Sequence, residues 1–252
     1  MGGQHRLTIK TDSTRRRSVQ GISKRHLMIT VATAWMGLLS AVAAAEAADR
    51  PDNEPPEGFT ALFNGKDLTG WKGLVASPPK RAEMTEEELA EAQKAADEQM
   101  REHWSVEDGV LIYDGKGNSL CTVKDYGDFE LYVDWKILDE GDSGIYLRGT
   151  PQVQIWDPKL RNVGSGGLYN NQENPSEPLV TADNEVGEWN TFFIRMVGEK
   201  VTVYLNDQLV VDNVTLENYW ERDKPIYETG QIELQHHGNT LYFKNIFIKE
   251  LE

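Results

Sequence analysis

The chain has 252 residues, a formal net charge of −15 at pH 7, and 39% hydrophobic residues. This composition supports a packed core and excludes wholesale disorder, and the single cysteine, Cys121, excludes an intramolecular disulfide. Residues 1–47 contain seven basic and two acidic residues, so the rest of the chain carries a net charge of −20. A surface this acidic argues against binding to nucleic acid, because like charges repel.

The N-terminal residues have the pattern of a secretory signal. A basic stretch at residues 15–25 precedes an apolar run at 27–45, which ends in small alanines. We therefore expect a signal peptide over residues 1–47, a periplasmic or extracellular location, and no stable membrane insertion after cleavage. An uncleaved membrane anchor is the alternative, because the apolar run is long enough to span a bilayer.

Two different segments precede the main part of the chain. Residues 48–57 are polar and rich in proline, which predicts a linker. Residues 84–103 predict a helix, because Thr85 and Glu88 form a capping-box signature ahead of a run rich in alanine, glutamate and glutamine. The apolar positions of this helix are sparse, so we expect it to lie on the surface as an insertion.

From Trp104 onward, hydrophobic and polar residues alternate with the period of half-buried strands. The predicted strands are 104–112, 119–122, 129–138, 143–148, 152–156, 189–197, 200–205, 208–213, 231–236 and 240–249. Short alternating strands separated by turn pairs predict an all-β, antiparallel two-sheet sandwich. Residues 164–185 are rich in glycine and asparagine and have no periodicity, which predicts a long loop of the kind that is often functional.

Strand parity predicts a polar face that could bind sugar. If inward residues alternate with outward ones, three predicted strands direct amides, an arginine, a carboxylate, an imidazole and two aromatic rings away from the core. Such groups suit sugar hydroxyls and the apolar faces of pyranose rings. The alternative is an ordinary solvated face. The outward residues are Tyr146, Arg148, Gln152, Gln154, Trp156, Glu233, Gln235 and His237.

Several segments, in this order, resemble one family. They are GFTALFNGKDLTGW at 58–71, DSGIYLRG at 142–149, VQIWD at 153–157, GEWN at 187–190 and GQIELQHHG at 230–238. Together they are similar to the 3-keto-disaccharide (3-keto-glycoside) hydrolase family of exported bacterial proteins, over residues 58–252. The resemblance implies a concanavalin A-like (laminin-G-like) jelly roll. Family members often carry glutamate where this chain has Gln152, which removes a carboxylate that could act as a base or metal ligand.

The substrate class that the resemblance implies suggests an elimination followed by a hydration across C1–C2. A ketone at C3 acidifies the C2 proton, so the reaction needs a base, a group that holds the oxyanion, and an acid for the leaving group. We expect the base to be His237, Asp157 or Glu233. Arg148 and Gln154, or a divalent cation such as Ca²⁺, Mg²⁺ or Mn²⁺, would polarise the C3 oxygen. The expected substrate-binding residues are Arg148, Gln154, Trp156, Tyr146, Gln235 and Gln152.

Other functions remain open at this point. A non-catalytic carbohydrate-binding module is the main alternative, because the jelly-roll fold serves lectins as readily as enzymes, and an adhesion domain is a third. For an enzyme or a binding module the expected partner is a small carbohydrate, whereas an adhesion domain would not bind glycan. Asp142 and Ser143 lie in a predicted turn, where their residue types are expected, so they rank below Arg148 as site residues.

Overall fold

The computed structural model describes residues 51–252, and these form two antiparallel β-sheets packed face to face. The predicted signal peptide, residues 1–47, lies outside the described residues, as do the first three residues of the predicted linker. The rest of that linker contacts the sandwich, since the Asp52 carboxylate accepts a 2.8 Å hydrogen bond from Lys244 Nζ. No helix within residues 51–252 combines the length and apolar character needed to cross a membrane.

Thirteen strands and two helices are assigned within the described residues, and their bounds follow the chain. The helices are α1 (Pro78–Ala82) and α2 (Glu86–His103). The strands are β1 (Thr60–Ala61), β2 (Trp71–Gly73), β3 (Trp104–Glu107), β4 (Val110–Asp114), β5 (Leu120–Thr122), β6 (Phe129–Ile137), β7 (Asp142–Leu147), β8 (Thr150–Trp156), β9 (Asn190–Val197), β10 (Lys200–Leu205), β11 (Gln208–Thr215), β12 (Glu233–Leu234) and β13 (Thr240–Glu250).

The strand order confirms the predicted two-sheet jelly-roll sandwich. One sheet runs β11-β10-β9-β6-β13-β4-β3, with β1 paired to β13, and the other runs β2-β5-β12-β7-β8. Along β6 the residues alternate between buried and partly exposed, as a strand with one face in the core requires. Large aromatic side chains such as Trp135 and Phe192, whose rings lie 5.4 Å apart, fill the space between the sheets.

The predicted surface helix is confirmed as α2. Thr85 Oγ1 accepts a hydrogen bond from the Glu88 backbone, and the Glu88 carboxylate accepts one from the Thr85 backbone, at 3.2 and 2.9 Å. Only Ala96 and Met100 of this helix are buried. Helix α1 was not predicted from the sequence. The predicted strand 104–112 is two strands, because Asp108 and Gly109 both have positive φ and form a hairpin turn.

Strand β8 stands at the end of its sheet, yet every one of its residues is buried. The segment between β8 and β9, residues 157–189, contains the predicted long loop and covers this strand; it is the covering loop. Gln154 N donates to Gly167 O at 2.9 Å, and Gly166 N donates to Gln154 O at 2.8 Å. Gly166 is required there, because its φ is +98° and a Cβ would stand 2.7 Å from Val210 Cγ2. The loop therefore satisfies the free edge of the sheet and folds over its outer face.

Glu217, which follows β11, fastens the next part of this loop. Its carboxylate accepts hydrogen bonds from the backbone N–H groups of Gln172, Glu173 and Asn174 at 2.8, 2.9 and 2.7 Å, and Arg222 lies 3.2 Å away. Burial opposes the charged form, but these amides and the Asn174 side chain lower the pKa of Glu217 from 4.5 to about 2. The charged carboxylate is thus the form that holds the loop.

We expect acid to weaken the fold through Glu217. Because its folded-state pKa lies below the unfolded value, its contribution to the free energy of unfolding is complete above 4.5 and is lost as the pH falls toward 2. Denaturant unfolding of the wild type and of Glu217→Gln, measured from about pH 6 down to about pH 2, should show a stability difference that shrinks as the pH falls. A difference that stays constant over this range would contradict the assignment.

Candidate functional site

A cavity of about 370 Å³ opens on the outer face of the sheet that contains β7, β8 and β12. This volume lies at the lower end of the range, about 300–1,000 Å³, that is typical of small-molecule sites. Residues of the sheet, of the covering loop and of the segment after β11 line it. They are Asp142, Tyr146, Gln152, Gln154, Trp156, Leu160, Arg161, Tyr169, Asn170, Tyr219, Gln235 and His237.

Strand pairing brings six of the nine sequence-predicted site residues to this cavity. Tyr146 of β7 pairs with Gln152 of β8, and Gly144 pairs with Gln154. Residues paired across antiparallel strands point to the same face, so the parity argument places these side chains together. The six predicted residues that line the cavity are Tyr146, Gln152, Gln154, Trp156, Gln235 and His237.

A chain of side-chain amides forms the floor of the cavity. Gln152 Nε2 donates to Gln154 Oε1 at 2.9 Å, and Gln154 Nε2 donates to Asp142 Oδ1 at 2.8 Å. The same nitrogen also lies 3.0 Å from the backbone oxygens of Ser143 and Ile155. Both glutamines are buried, so this chain holds Asp142 in a fixed position.

Asp142 and His237 form an acid–base pair in the wall of the cavity. His237 Nε2 lies 3.8 Å from Asp142 Oδ2, and about a quarter of the Asp142 side chain remains exposed. Burial raises the pKa of Asp142, against the lowering effects of His237, of the Gln154 hydrogen bond and of Arg161. A partly desolvated carboxylate with a raised pKa is a stronger base than an ordinary aspartate and suits proton transfer.

Arg161, from the covering loop, supplies the cavity with a guanidinium group. Its central carbon lies 4.9 Å from the centre of the Trp156 ring and 5.1 Å from that of Tyr169, and its Nη2 donates to the Tyr169 hydroxyl at 3.1 Å. Trp156 is itself 6% exposed, and its Nε1 donates to Gly164 O at 2.6 Å. Trp156 therefore anchors the loop and orients Arg161, instead of presenting a bare ring for stacking.

Tyr219, from the segment after β11, also lines the cavity and is 38% exposed. Its backbone N donates to Thr150 Oγ1 at 3.1 Å, and the neighbouring Trp220 packs edge-on against it at 4.8 Å. Arg222 lies over the Tyr219 ring at 5.1 Å. Tyr219 is thus a positioned aromatic surface that the sequence had not marked.

Arg148, predicted to bind substrate, lies away from the cavity. Strand β7 ends at Leu147, and Arg148 and Gly149 form a two-residue turn in which both residues have positive φ, so the alternation of faces stops before Arg148. Its guanidinium is 2% exposed and donates to Gly127 O, to Tyr227 O and to the Asp128 carboxylate, at 2.8, 3.1 and 2.6 Å. The residue therefore joins three segments of the sandwich.

Asp157, one of the three predicted bases, does not line the cavity either. It is 1% exposed, and its two carboxylate oxygens accept hydrogen bonds from the backbone N–H groups of Glu140 and Lys159 at 3.1 and 2.8 Å. Its own backbone N donates to Gly141 O. Asp157 thus caps the turns beside the end of β8, a role typical of an aspartate at the end of a strand, and the expectation that it acts as the base is not supported by its position.

Glu233, the third predicted base, faces outward from the sheet as parity predicts, but α1 covers it. Both α1 and Glu233 pack against Gly149. A Cβ built on this glycine would stand 3.2 Å from Pro78 Cγ of α1 and 3.4 Å from Glu233 Oε1. Burial raises the pKa of Glu233 to about 7, against the lowering effect of Arg81. Glu233 is paired with Tyr146, which does line the cavity, so it lies beside the site without entering it.

Neither the sequence prediction nor the structure defines a metal ligand set. Within residues 51–252, no three His, Cys, Asp or Glu side chains lie close enough together to hold a metal ion. Cys121 is buried, and its thiol donates a hydrogen bond to Lys72 O at 3.6 Å. Burial raises the pKa of this thiol to about 12, as expected of an inert cysteine.

The family model of the 3-keto-alpha-glucoside-1,2-lyase-like domain matches residues 58–249. The chain belongs to this family. The match confirms the resemblance drawn from the five sequence segments, and it spans nearly the whole of the predicted domain at residues 58–252.

Relatives agree with this assignment. A 3-keto-disaccharide hydrolase of Bacteroides thetaiotaomicron is 23% identical, in an alignment that covers 78% of this chain and 79% of that protein. A crystal structure from Parabacteroides distasonis, described as a glycosyl hydrolase, is 27% identical with a TM-score of 0.59, over 80% of this chain and 100% of that one. A second structure from the same organism gives 27% identity and a TM-score of 0.58, over 78% and 85%. Together they support a glycoside hydrolase-like enzyme.

We expect Arg148→Ala to destabilise the protein by about 3 kcal/mol, because the change removes a buried guanidinium that pairs with the half-buried Asp128 and leaves two backbone carbonyls without their donor. Urea unfolding measures this. Arg195→Ala is the control: Arg195 lies 3.5 Å from Glu130 and is 49% exposed, so its loss should cost less than about 1 kcal/mol. A stable Arg148→Ala protein that had lost all activity would instead place Arg148 in the substrate site.

Proposed function

We propose that this family member cleaves 3-keto-glycosides in the cavity on the outer face of β7, β8 and β12, by elimination followed by hydration. The observation that carries the proposal is the pairing of Asp142 with His237 in the same small cavity as Arg161. A base, an acid and a cation held together in a site of sugar size are the groups that such a reaction needs.

In the first step, a base removes the proton on C2 of the sugar, which the C3 ketone acidifies. The electron pair of the C2–H bond moves onto the ketone oxygen as an enolate. The enolate then reforms the ketone, the C1–C2 double bond forms, and the C1–O bond breaks. The aglycone takes up a proton and leaves as an alcohol. The sugar is left as an enone.

The cavity residues divide these tasks. The Asp142 carboxylate takes the C2 proton, and His237 beside it carries the proton to the leaving oxygen. The Arg161 guanidinium stabilises the enolate oxygen, because a fixed positive group acts strongly where water is partly excluded. Gln154 holds Asp142 at 2.8 Å, which makes it a positioning residue.

In the second step, water adds to the enone. Its oxygen bonds to C1, one of its protons passes through His237 to Asp142, and Asp142 delivers this proton of solvent origin to C2. The sum of the two steps is one glycoside and one water converted to one alcohol and one free 3-keto sugar. The family description as a lyase corresponds to the first step, and the B. thetaiotaomicron relative's description as a hydrolase corresponds to the sum.

The deciding experiment is turnover of 3-keto-trehalose or a 3-keto-glucoside in D₂O. Elimination and hydration should release the sugar with deuterium at C2, which NMR detects. Release without deuterium would indicate direct hydrolysis, and no release would contradict the activity itself. Running the assay with chelator and with added Ca²⁺, Mg²⁺ or Mn²⁺ tests whether a divalent cation contributes.

We expect Asp142→Asn to lower kcat by about 100-fold or more, because it removes the base while keeping the acceptor for Gln154. In the wild type, the acid limb of the kcat/KM profile should lie above the ordinary carboxyl range, since burial raises the pKa of Asp142 and activity is lost once it is protonated. Asp139→Asn is the control, because that exposed carboxylate pairs with Lys159 outside the cavity. An unchanged acid limb in Asp142→Asn would contradict the role.

A further inference from the structure

Three residues that line the cavity carry amide oxygens that are buried and have no hydrogen-bond partner among the described residues. They are Gln152 Oε1, Gln235 Oε1 and Asn170 Oδ1. A buried acceptor without a donor typically costs about 1–3 kcal/mol. Three of them around one cavity indicate that the occupant of the cavity supplies the donors.

The hydrogen-bonded side-chain amides in the floor of the cavity leave the oxygen of Gln152 without a donor. Three oxygens surround Gln154 Nε2, so the oxygen of Gln154 has to face Gln152. Gln152 must therefore donate through its nitrogen, and its own oxygen is left over. No exchange of nitrogen and oxygen in Gln152 repairs this, because it would place two oxygens against each other.

Gly144 lets two of the three amides converge. A Cβ at this position would stand 2.4 Å from Gln152 Cγ and 3.1 Å from Gln235 Oε1, so both side chains occupy the space above the glycine. Asn170 reaches the cavity from the covering loop, after Tyr169. The acceptors thus come from the sheet and from the loop that closes over it.

Hydroxyl groups fit these acceptors better than a cation does. Asp142 is the one carboxylate in the cavity lining, and the guanidinium of Arg161 acts on it there and would repel a metal ion. We propose that Gln152, Gln235 and Asn170 select the substrate by accepting hydrogen bonds from hydroxyls of a neutral, unsubstituted 3-keto-glycoside. This rests on the proposed function and identifies what the site recognises.

The proposal also orients the sugar. A ketone oxygen cannot donate, so C3 turns away from the three amide oxygens and toward Arg161, while the hydroxyl-bearing atoms contact the amides. A site built on unpaired acceptors should reject sugars in which a contacted hydroxyl is missing or methylated, because the acceptor then stays unpaired.

The test compares a 3-keto-glucoside with forms that each lack one hydroxyl, using the wild type and Gln235→Met. Within residues 51–252 the Gln235 side chain makes no hydrogen bond, so methionine removes the acceptor without breaking a structural contact. In the wild type, at least one deoxy form should lose about 10-fold or more in kcat/KM. In Gln235→Met the parent sugar should lose a similar factor, and the penalty for one hydroxyl should disappear.

Gln231→Met is the matched control. Gln231 Oε1 is also buried without a partner, but Gln231 does not line the cavity, so this variant should keep wild-type kinetics. Both variants should keep or raise the melting temperature, because each loses an unpaired buried oxygen. Equal penalties for every deoxy form in the wild type and in Gln235→Met would overturn the proposal, as would a wild type that tolerates every deoxy form.

Calorimetric binding separates this proposal from the reaction. If the wild type binds the keto-glucoside without releasing sugar, and binding shows the same deoxy penalties, hydroxyl recognition is supported and the proposed reaction is contradicted. If the wild type releases sugar without any deoxy penalty, the reaction stands and the recognition fails. If the wild type neither binds nor cleaves the sugar, both are overturned.

Discussion

The site depends on the burial of β8 on both of its faces. An edge strand of a sandwich normally exposes one face and one row of backbone groups to water, but here the loop that follows β8 pairs with Gln154 and packs over the outer face. This cover turns a flat polar face into a cavity. It also removes water from Asp142 and the glutamines. This raises the pKa of the carboxylate and strengthens each hydrogen bond in the floor of the cavity. Glu217 and Trp156 hold the cover in place, so groups outside the chemistry maintain the geometry of the groups within it.

Because the loop covers β8 of the smaller sheet, the two sheets have different roles. In the larger sheet, β6 turns only apolar residues toward the core, whereas the smaller sheet contributes the floor of the cavity through β7 and β8. The family and the relatives place the chain among glycoside hydrolase-like enzymes. The two-carboxylate pair of most glycosidases is not needed for a 3-keto substrate, because the ketone itself makes the C2 proton removable. One aspartate, one histidine and one arginine are then sufficient for the proposed reaction.

The sequence was enough to predict the fold and the floor of the cavity, because both depend on a period of two that local residues display. Parity along β7 and β8 correctly brought Tyr146, Gln152 and Gln154 together. Parity gave the wrong position for Arg148, because the positive φ of this residue ends the alternation of faces. The Arg148-Gly149 pair between two predicted strands could have been recognised as a turn. Parity placed Glu233 outward but could not foresee α1, which covers it. Arg161 and Asn170 lie in a loop without periodicity, so only the folded chain shows that they reach the site.

The most direct test is a crystal structure of the Asp142→Asn protein soaked with a 3-keto-glucoside, which the loss of the base should leave uncleaved. The sugar should lie in the cavity between β8 and its covering loop, with C2 facing residue 142, the C3 oxygen near Arg161, and hydroxyls against the amide oxygens. A sugar bound elsewhere on the sandwich, or one lying in the cavity with its C3 oxygen against the glutamines, would contradict this prediction.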